Sequence, residues 1–148
     1  LVHGRLGEAE GRIEVPILVH SGKRKAPVRA DEEGKVARTR FERIEVLGRF
    51  SWVRLYPETG RTHQLRVHMA HIGHPIVCDR HYGSSDPLLL SKLKRGYVPS
   101  RREERPLLAR LALHAERLRF AGPQGPLEIE APLPKDLRVT LKQLQKLS

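Results

Sequence analysis

Polar and apolar positions alternate between Val36 and Leu47. Thr39, Phe41, Arg43, Glu45 and Leu47 fall on one side, and Arg38, Arg40, Glu42, Ile44 and Val46 on the other, which predicts a strand. The period repeats from Phe50 to Pro57, where Trp52, Arg54 and Tyr56 alternate with Val53 and Leu55. Gly48-Arg49 should join the two strands as a tight antiparallel hairpin. Thr59-Gly60 then breaks the pattern, and from Thr62 to about Ile72 the spacing turns helical, with Leu65, Met69 and Ile72 on one apolar stripe. Gly73 suits the helix end and Pro75 prevents continuation. Residues 1–19 predict one or two short strands, and Asp31 to Gly34 a hairpin turn. Ser84 to Arg110 shows little periodicity and predicts a mobile loop with a helical turn around Leu88 to Leu93. Leu113 to Phe120 and Leu127 to Ile129 predict two strands about the Gly-Pro-rich turn from Gly122 to Pro126. Asp136 is expected to cap a last helix that buries Leu137, Leu141, Leu144 and Leu147. The fold class is therefore α+β, mainly antiparallel strands with few helices.

Composition narrows the partners. The 148 residues hold 28 Lys plus Arg against 17 Asp plus Glu, a formal net charge of +11. Such a balance points to a polyanion, most simply nucleic acid. One cysteine, Cys78, excludes an internal disulfide and fits a reducing cytoplasm. No stretch reaches the ~18 to 20 apolar residues of a membrane-spanning helix, and no signal peptide is visible. The chain opens on Leu rather than Met, which fits a piece of a longer product or a record lacking its start. The length suits one domain or part of one.

Within the predicted helix, Arg66 follows Leu65 and stands at the border of the apolar stripe. A partly desolvated guanidinium there requires a carboxylate, a phosphate or carbonyls. Arg61, His63 and Gln64 crowd the helix start, where free backbone N–H groups add to an anion site. Arg80 and the segment from Lys92 to Arg110, with Lys92, Lys94, Arg95, Arg101 and Arg102, supply candidate phosphate contacts. His20 to Lys25 is a further basic loop; Ile17 stands where a P-loop needs its first glycine, so it is not one. A rival reading is a metal site, since His63, His68, His71, His74, Cys78 and Asp79 crowd one region. The helix lacks an i, i+4 histidine pair with an intervening Glu, and no metal is expected.

The run T-G-R-T-H-Q-L-R-V-H-M-A-H-I-G-H-P-I from Thr59, followed by D-R-H-Y-G from Asp79, resembles the RluA-type family of RNA pseudouridine synthases. L-H-A-E-R-L-R-F from Leu113 and A-P-L-P from Ala131 match downstream, and L-V-H-G at Leu1 and I-E-V-P-I at Ile13 match upstream. The resemblance implies isomerisation of uridine to pseudouridine in ribosomal or transfer RNA, without cofactor or metal. It implies that Arg66 pairs with the family's catalytic Asp, that Leu113 lies beside the base pocket, and that Arg61, His63 and Gln64 contact RNA or support the site. The family's G-R-L-D-like motif and the later Tyr are absent here. Residues 1–148 thus read as the C-terminal portion of a catalytic domain whose Asp motif lies upstream, inactive alone. The rival is a non-catalytic RNA-binding module derived from a truncated synthase. Oligomeric state is not legible.

Overall fold

The computed structural model describes residues 1–19, 28–100 and 103–148. The basic loop His20 to Lys25, Arg101 and Arg102 lie outside the described residues. The two long alternating segments form strands β5 (Arg38–Leu47) and β6 (Phe50–Pro57), paired antiparallel from Thr39↔Pro57 to Leu47↔Phe50. Their two-residue turn has Gly48 at φ +59°, a value that costs glycine no Cβ clash. β1 (Val2–His3) and β2 (Glu10–Glu14) complete an antiparallel sheet in the order β1-β6-β5-β2. A third short strand in this region, β3 (Ile17–Leu18), pairs with β4 (Arg29–Ala30). The turn at Asp31 to Gly34 forms as expected: Asp31 Oδ1 accepts from the Glu33 N–H at 3.0 Å, and Ile17 and Lys35 exchange backbone hydrogen bonds.

The uninterrupted alternation expected in β5 is broken by a bulge between Arg43 and Glu45. Before it, Phe41 opposes Leu55 and Arg43 opposes Val53; after it, Leu47 opposes Phe50. Since Phe50 and Val53 lie on opposite faces of β6, Leu47 ends on the face opposite Phe41. The sheet consequently buries side chains on both faces. Phe41, Val53 and Ile13 are buried, and so are Leu47 and Phe50, which line one cavity with Leu144 of the second helix, α2 (Lys135–Leu147).

α2 buries Leu137, Thr140 and Leu144, whereas Leu147 is exposed. Asp136 does not cap it. The N-cap position is Pro134, and Asp136 lies in the first turn, where its carboxylate takes a two-point ion pair from Arg110 at 2.7 and 2.9 Å. Its negative charge still favours the helix N-terminus. Residues 84–100 and 103–110 form an irregular excursion tied at its base, not a free loop: the Leu88 N–H donates to the Leu108 carbonyl at 2.7 Å, the Leu107 N–H returns the bond at 2.8 Å, and both Leu88 and Leu108 are buried. The helical turn forms where the Leu93 and Lys94 N–H groups donate to the Leu90 carbonyl. The last two strands, β7 (Arg117–Gly122) and β8 (Gly125–Glu130), make a hairpin of their own.

Three links position the first helix, α1 (Gln64–His71), against the sheet. Strand β1 is held on its outer side by residues 75–77, through His3 N–H to Pro75 O at 2.9 Å and Val77 N–H to Leu1 O at 3.0 Å. The Ala112 N–H then donates to Val77 O at 2.9 Å. α1 itself closes in a Schellman arrangement, with Gly73 at φ +82°, His74 N–H to Met69 O at 2.8 Å and Gly73 N–H to Ala70 O at 3.0 Å. That sharp stop turns the chain straight into the 75–77 segment and onward to Asp79.

Candidate active site

A buried polar chain fixes α1 on β5. The helix starts at Gln64, two residues later than the periodicity suggested, because His63 takes the left-handed conformation at φ 54°. Gln64 Oε1 accepts from Thr59 Oγ1 at 2.7 Å and from the Arg61 N–H at 3.0 Å; its Nε2 donates to Arg38 O at 2.8 Å and Thr39 Oγ1 at 3.1 Å. Next along the chain, His68 is fully buried, with Nδ1 2.9 Å from Thr39 Oγ1 and Nε2 2.9 Å from Val15 O. Desolvation pushes its imidazole pKa down, so the neutral ring is favoured. The carbonyl of Val15 can only accept, which assigns the proton to Nε2 and makes Nδ1 the acceptor for the Thr39 hydroxyl. Thr39 in turn accepts from Gln64. Every polar group in the chain has one consistent role, and breaking any member leaves another unpaired.

Gln64 is buried, with both amide donors and its oxygen already used in fixing the helix; of the two roles expected of it, contact with RNA and support of the site, the geometry favours support.

On the neighbouring helix face, Arg66 forms a two-point ion pair with Asp79. Nε donates to Oδ2 at 2.8 Å and Nη2 to Oδ1 at 2.6 Å. The Asp79 side chain is 0% exposed and that of Arg66 14%. Cys78, at φ 59°, turns the backbone so that the His81 and Tyr82 N–H groups also donate to Asp79 Oδ1, at 3.0 and 3.3 Å. Burial alone would raise the Asp79 pKa; the bond from Arg66 and the two backbone donors outweigh it and hold the carboxyl below its ordinary value. The same bond raises the Arg66 pKa. Tyr82 lies 5.0 Å under the guanidinium, a cation–π contact, and its hydroxyl is 2.9 Å from His63 Nδ1. His81 stands 6.0 Å from the His63 ring. Burial, and then the nearby Arg66 charge, push the His63 pKa down.

Arg66 is therefore held in one plane by Asp79 at its Nε edge and by Tyr82 below, while Nη1 makes no hydrogen bond among the described residues. A guanidinium has a second edge able to take another carboxylate or a phosphate, and here that edge is preset. Asp79 and Tyr82 were not singled out as its partners from the sequence. The available signal was their spacing, D-x-x-Y immediately beyond a helix stopped by Gly73 and Pro75.

The other expected residues divide. His63 joins the Arg66 cluster. Arg61 is exposed beside it, with Nε donating to Val36 O at 3.0 Å, and Arg80 is exposed next to Asp79. Lys92, Lys94 and Arg95 are exposed on the 84–100 excursion, where Lys92 lies 3.9 Å from Asp86. Leu113 is half-buried against the main core. No hydrogen bond, ion pair or ring contact links Leu113, Lys92, Lys94 or Arg95 to the Arg66 cluster among the described residues. Three donors of the rival metal reading are committed elsewhere: His68 to Thr39 and Val15, His74 to the His3 carbonyl at 2.9 Å, and the buried Cys78 thiol to the Asp86 and Leu108 carbonyls. No group of three such side chains is placed to hold a metal ion among the described residues.

Sequence comparison places this geometry among known proteins. The profile of the RNA pseudouridylate synthases matches residues 5–71, which include β5, β6, α1 and Arg66. Ribosomal large subunit pseudouridine synthase C of Haemophilus ducreyi is 37% identical over 150 aligned positions, covering 98% of this chain. The chain belongs to the RNA pseudouridine synthase family. A protein of Chlorobaculum parvum named as an uncharacterized RNA pseudouridine synthase is 43% identical over 115 residues, 76% of this chain. Among solved structures, human RNA Pseudouridylate Synthase Domain Containing 1 superposes with a TM-score of 0.63 at 27% identity, covering 97% of this chain and 62% of that one. A second human synthase-domain protein, at 23% identity and a TM-score of 0.66, supports the α+β synthase fold. This family member spans less than half the length of its curated relatives, 42% of the Haemophilus protein and 35% of the Chlorobaculum one.

Proposed function

We propose that this chain is the C-terminal portion of an RNA pseudouridine synthase catalytic domain, and that the whole protein isomerises uridine in ribosomal RNA in the cytoplasm. The observation that carries the reading is Arg66: a guanidinium fixed at one edge by a buried carboxylate, with Nη1 left open, inside the segment matched by the family profile. A catalytic Asp delivered by upstream polypeptide would take that open edge. The positive charge would hold the Asp ionised and oriented. In the reaction, the N1–C1′ bond of uridine breaks, the uracil turns, and C5 bonds to C1′; C5 loses its proton and N1 gains one. Leu113 is assigned to the base pocket. The base must leave its stack to reach these groups, at a cost of a few kcal/mol. Exposed Arg61, His63, Arg80, Lys92, Lys94 and Arg95, together with Arg101 and Arg102, are assigned to the phosphate backbone. No cofactor or metal enters the scheme.

The 148 residues alone lack the Asp motif and should bind RNA without turnover. With a formal charge of +11, binding should release several counterions, so affinity should fall steeply between ~50 and ~200 mM salt and depend little on sequence. A filter-binding titration with unmodified ribosomal RNA at several salt concentrations, followed by chemical mapping of pseudouridine in the same samples, checks both statements. A flat salt response, or pseudouridine above a no-protein control, would contradict them.

A further inference from the structure

The β7–β8 hairpin has two unlike faces. Arg117 pairs with Glu130 at 2.6 Å and with Glu128 at 3.4 Å, and Arg119 pairs with Glu128, so one face is a self-neutralised charge ladder suited to water. The cross-strand pairs Leu118↔Ile129 and Phe120↔Leu127 make the other face wholly apolar. Those four side chains are 59, 56, 43 and 49% exposed in the order Leu118, Ile129, Phe120, Leu127. An isolated two-stranded ribbon has no core of its own and gains stability only when a further strand or helix covers its apolar face. The root of the ribbon is anchored: Ala131 N–H donates to Glu116 O at 2.8 Å, and Arg54 on β6 reaches Glu116 at 3.3 Å. The ribbon is therefore held out with its apolar face ready for a partner.

We propose that this face is the docking surface for the polypeptide preceding Leu1 in the full-length protein, a statement that rests on the reading of this chain as part of a longer synthase. The main-chain nitrogen of Leu1 is buried and donates to Ala112 O at 3.0 Å. Chain arriving at Leu1 must pass Ala112, which stands in the segment leading into β7. It therefore emerges beside the ribbon's root. The face itself carries no charge and presents leucine, isoleucine and phenylalanine, which suits an apolar protein layer and not a phosphate backbone. More than half the length of the Haemophilus relative lies outside the aligned region, enough to supply that layer.

Cysteine accessibility in the full-length protein tests the proposal. Ile129→Cys and, separately, Leu118→Cys are labelled with a maleimide, using Val98→Cys, at an 82% exposed position, as the open reference. The buried Cys78 thiol, whose pKa is raised by desolvation, contributes little background. In the monomeric protein without RNA, both hairpin cysteines should react at least about tenfold more slowly than Cys at position 98, as groups that react only through local opening do. Reaction at the reference rate would overturn the proposal. So would protection that disappears on dilution, which would make a second copy the occupant, or protection that needs RNA. A reading frame encoding nothing before Leu1 would overturn it too. Pseudouridine formation by the unmodified full-length protein is scored in parallel: no turnover with protected cysteines defeats the functional reading and leaves the docking surface standing, and turnover with reactive cysteines does the reverse.

Discussion

Asp79→Asn should lower the stability of this chain by about 3 kcal/mol, toward the lower end of the cost of breaking a buried ion pair, since Arg66 keeps an exposed edge. The substitution removes the charge opposite the Arg66 guanidinium. It also puts amide hydrogens where one oxygen now meets several donors. Asp79 Oδ1 accepts from Nη2 of Arg66 and from the His81 and Tyr82 N–H groups, and no orientation of an amide can serve those three and the Nε of Arg66 together. In thermal terms the loss is on the order of 10 °C for a domain of this size. Because the folded-state pKa of Asp79 is depressed, its stabilisation is complete above the unfolded carboxylate value of about 4 and is lost as pH falls through the folded value. The gap between wild type and variant in urea unfolding should thus be full at neutral pH and shrink in acid. Equal unfolding midpoints at neutral pH would show that the pair contributes nothing.

The second large effect concerns His68. Its ring is buried, and desolvation lowers its pKa. The folded chain resists protonating it, whereas the unfolded chain binds the proton below the ordinary value of about 6.5. The unfolded state therefore holds more protons below that value, and stability should be full above it and fall as pH drops through it. Urea unfolding at pH 5 and pH 8, for wild type and His68→Gln, provides the measurement. An identical pH slope in both would mean that the ring takes its proton as readily in the folded chain as in the unfolded one.

Several of these features were legible in the residues and others were not, for identifiable reasons. The β5–β6 hairpin announced itself because period-two alternation flanks a two-residue turn containing glycine. Partial desolvation of Arg66 was legible from its place on the helix, but the buried face was misplaced: α1 buries Gln64, Val67, His68 and Met69, and Leu65 is only half-buried. The partner of Arg66 was not legible, because Asp79 reaches it only after the Schellman turn at Gly73 and the left-handed turn at Cys78. Nothing in local spacing fixes those angles. Gln64 looked like a surface donor because glutamine usually is one; its burial follows from the packing of α1 against Thr39, a tertiary fact. The bulge after Arg43 was invisible since Ile44 fits either face of an alternating strand. The assignment of Asp136 as a cap failed because Pro134 already starts α2 and Arg110 claims the carboxylate. The ribbon β7–β8 was recognisable as two strands, but not as a pair standing clear of the core.

Single-turnover formation of pseudouridine by the full-length protein, wild type against Arg66→Met, tests the assignment of Arg66 to the active site most directly. The methionine roughly keeps the stem's packing beside Leu65 and removes the charge that orients the nucleophile, a contribution of about 1.5 to 3 kcal/mol for a charge-assisted bond. With saturating enzyme and unmodified ribosomal RNA, the wild type should convert uridine, and the variant should be slower by about tenfold or more while its filter-binding constant changes little. Arg66→Lys should also be slow, since an ammonium cannot hold two carboxylates in a fixed plane. A variant that reacts at the wild-type rate while its RNA affinity drops would reduce Arg66 to a phosphate contact, and a wild-type protein that makes no pseudouridine would contradict the account as a whole.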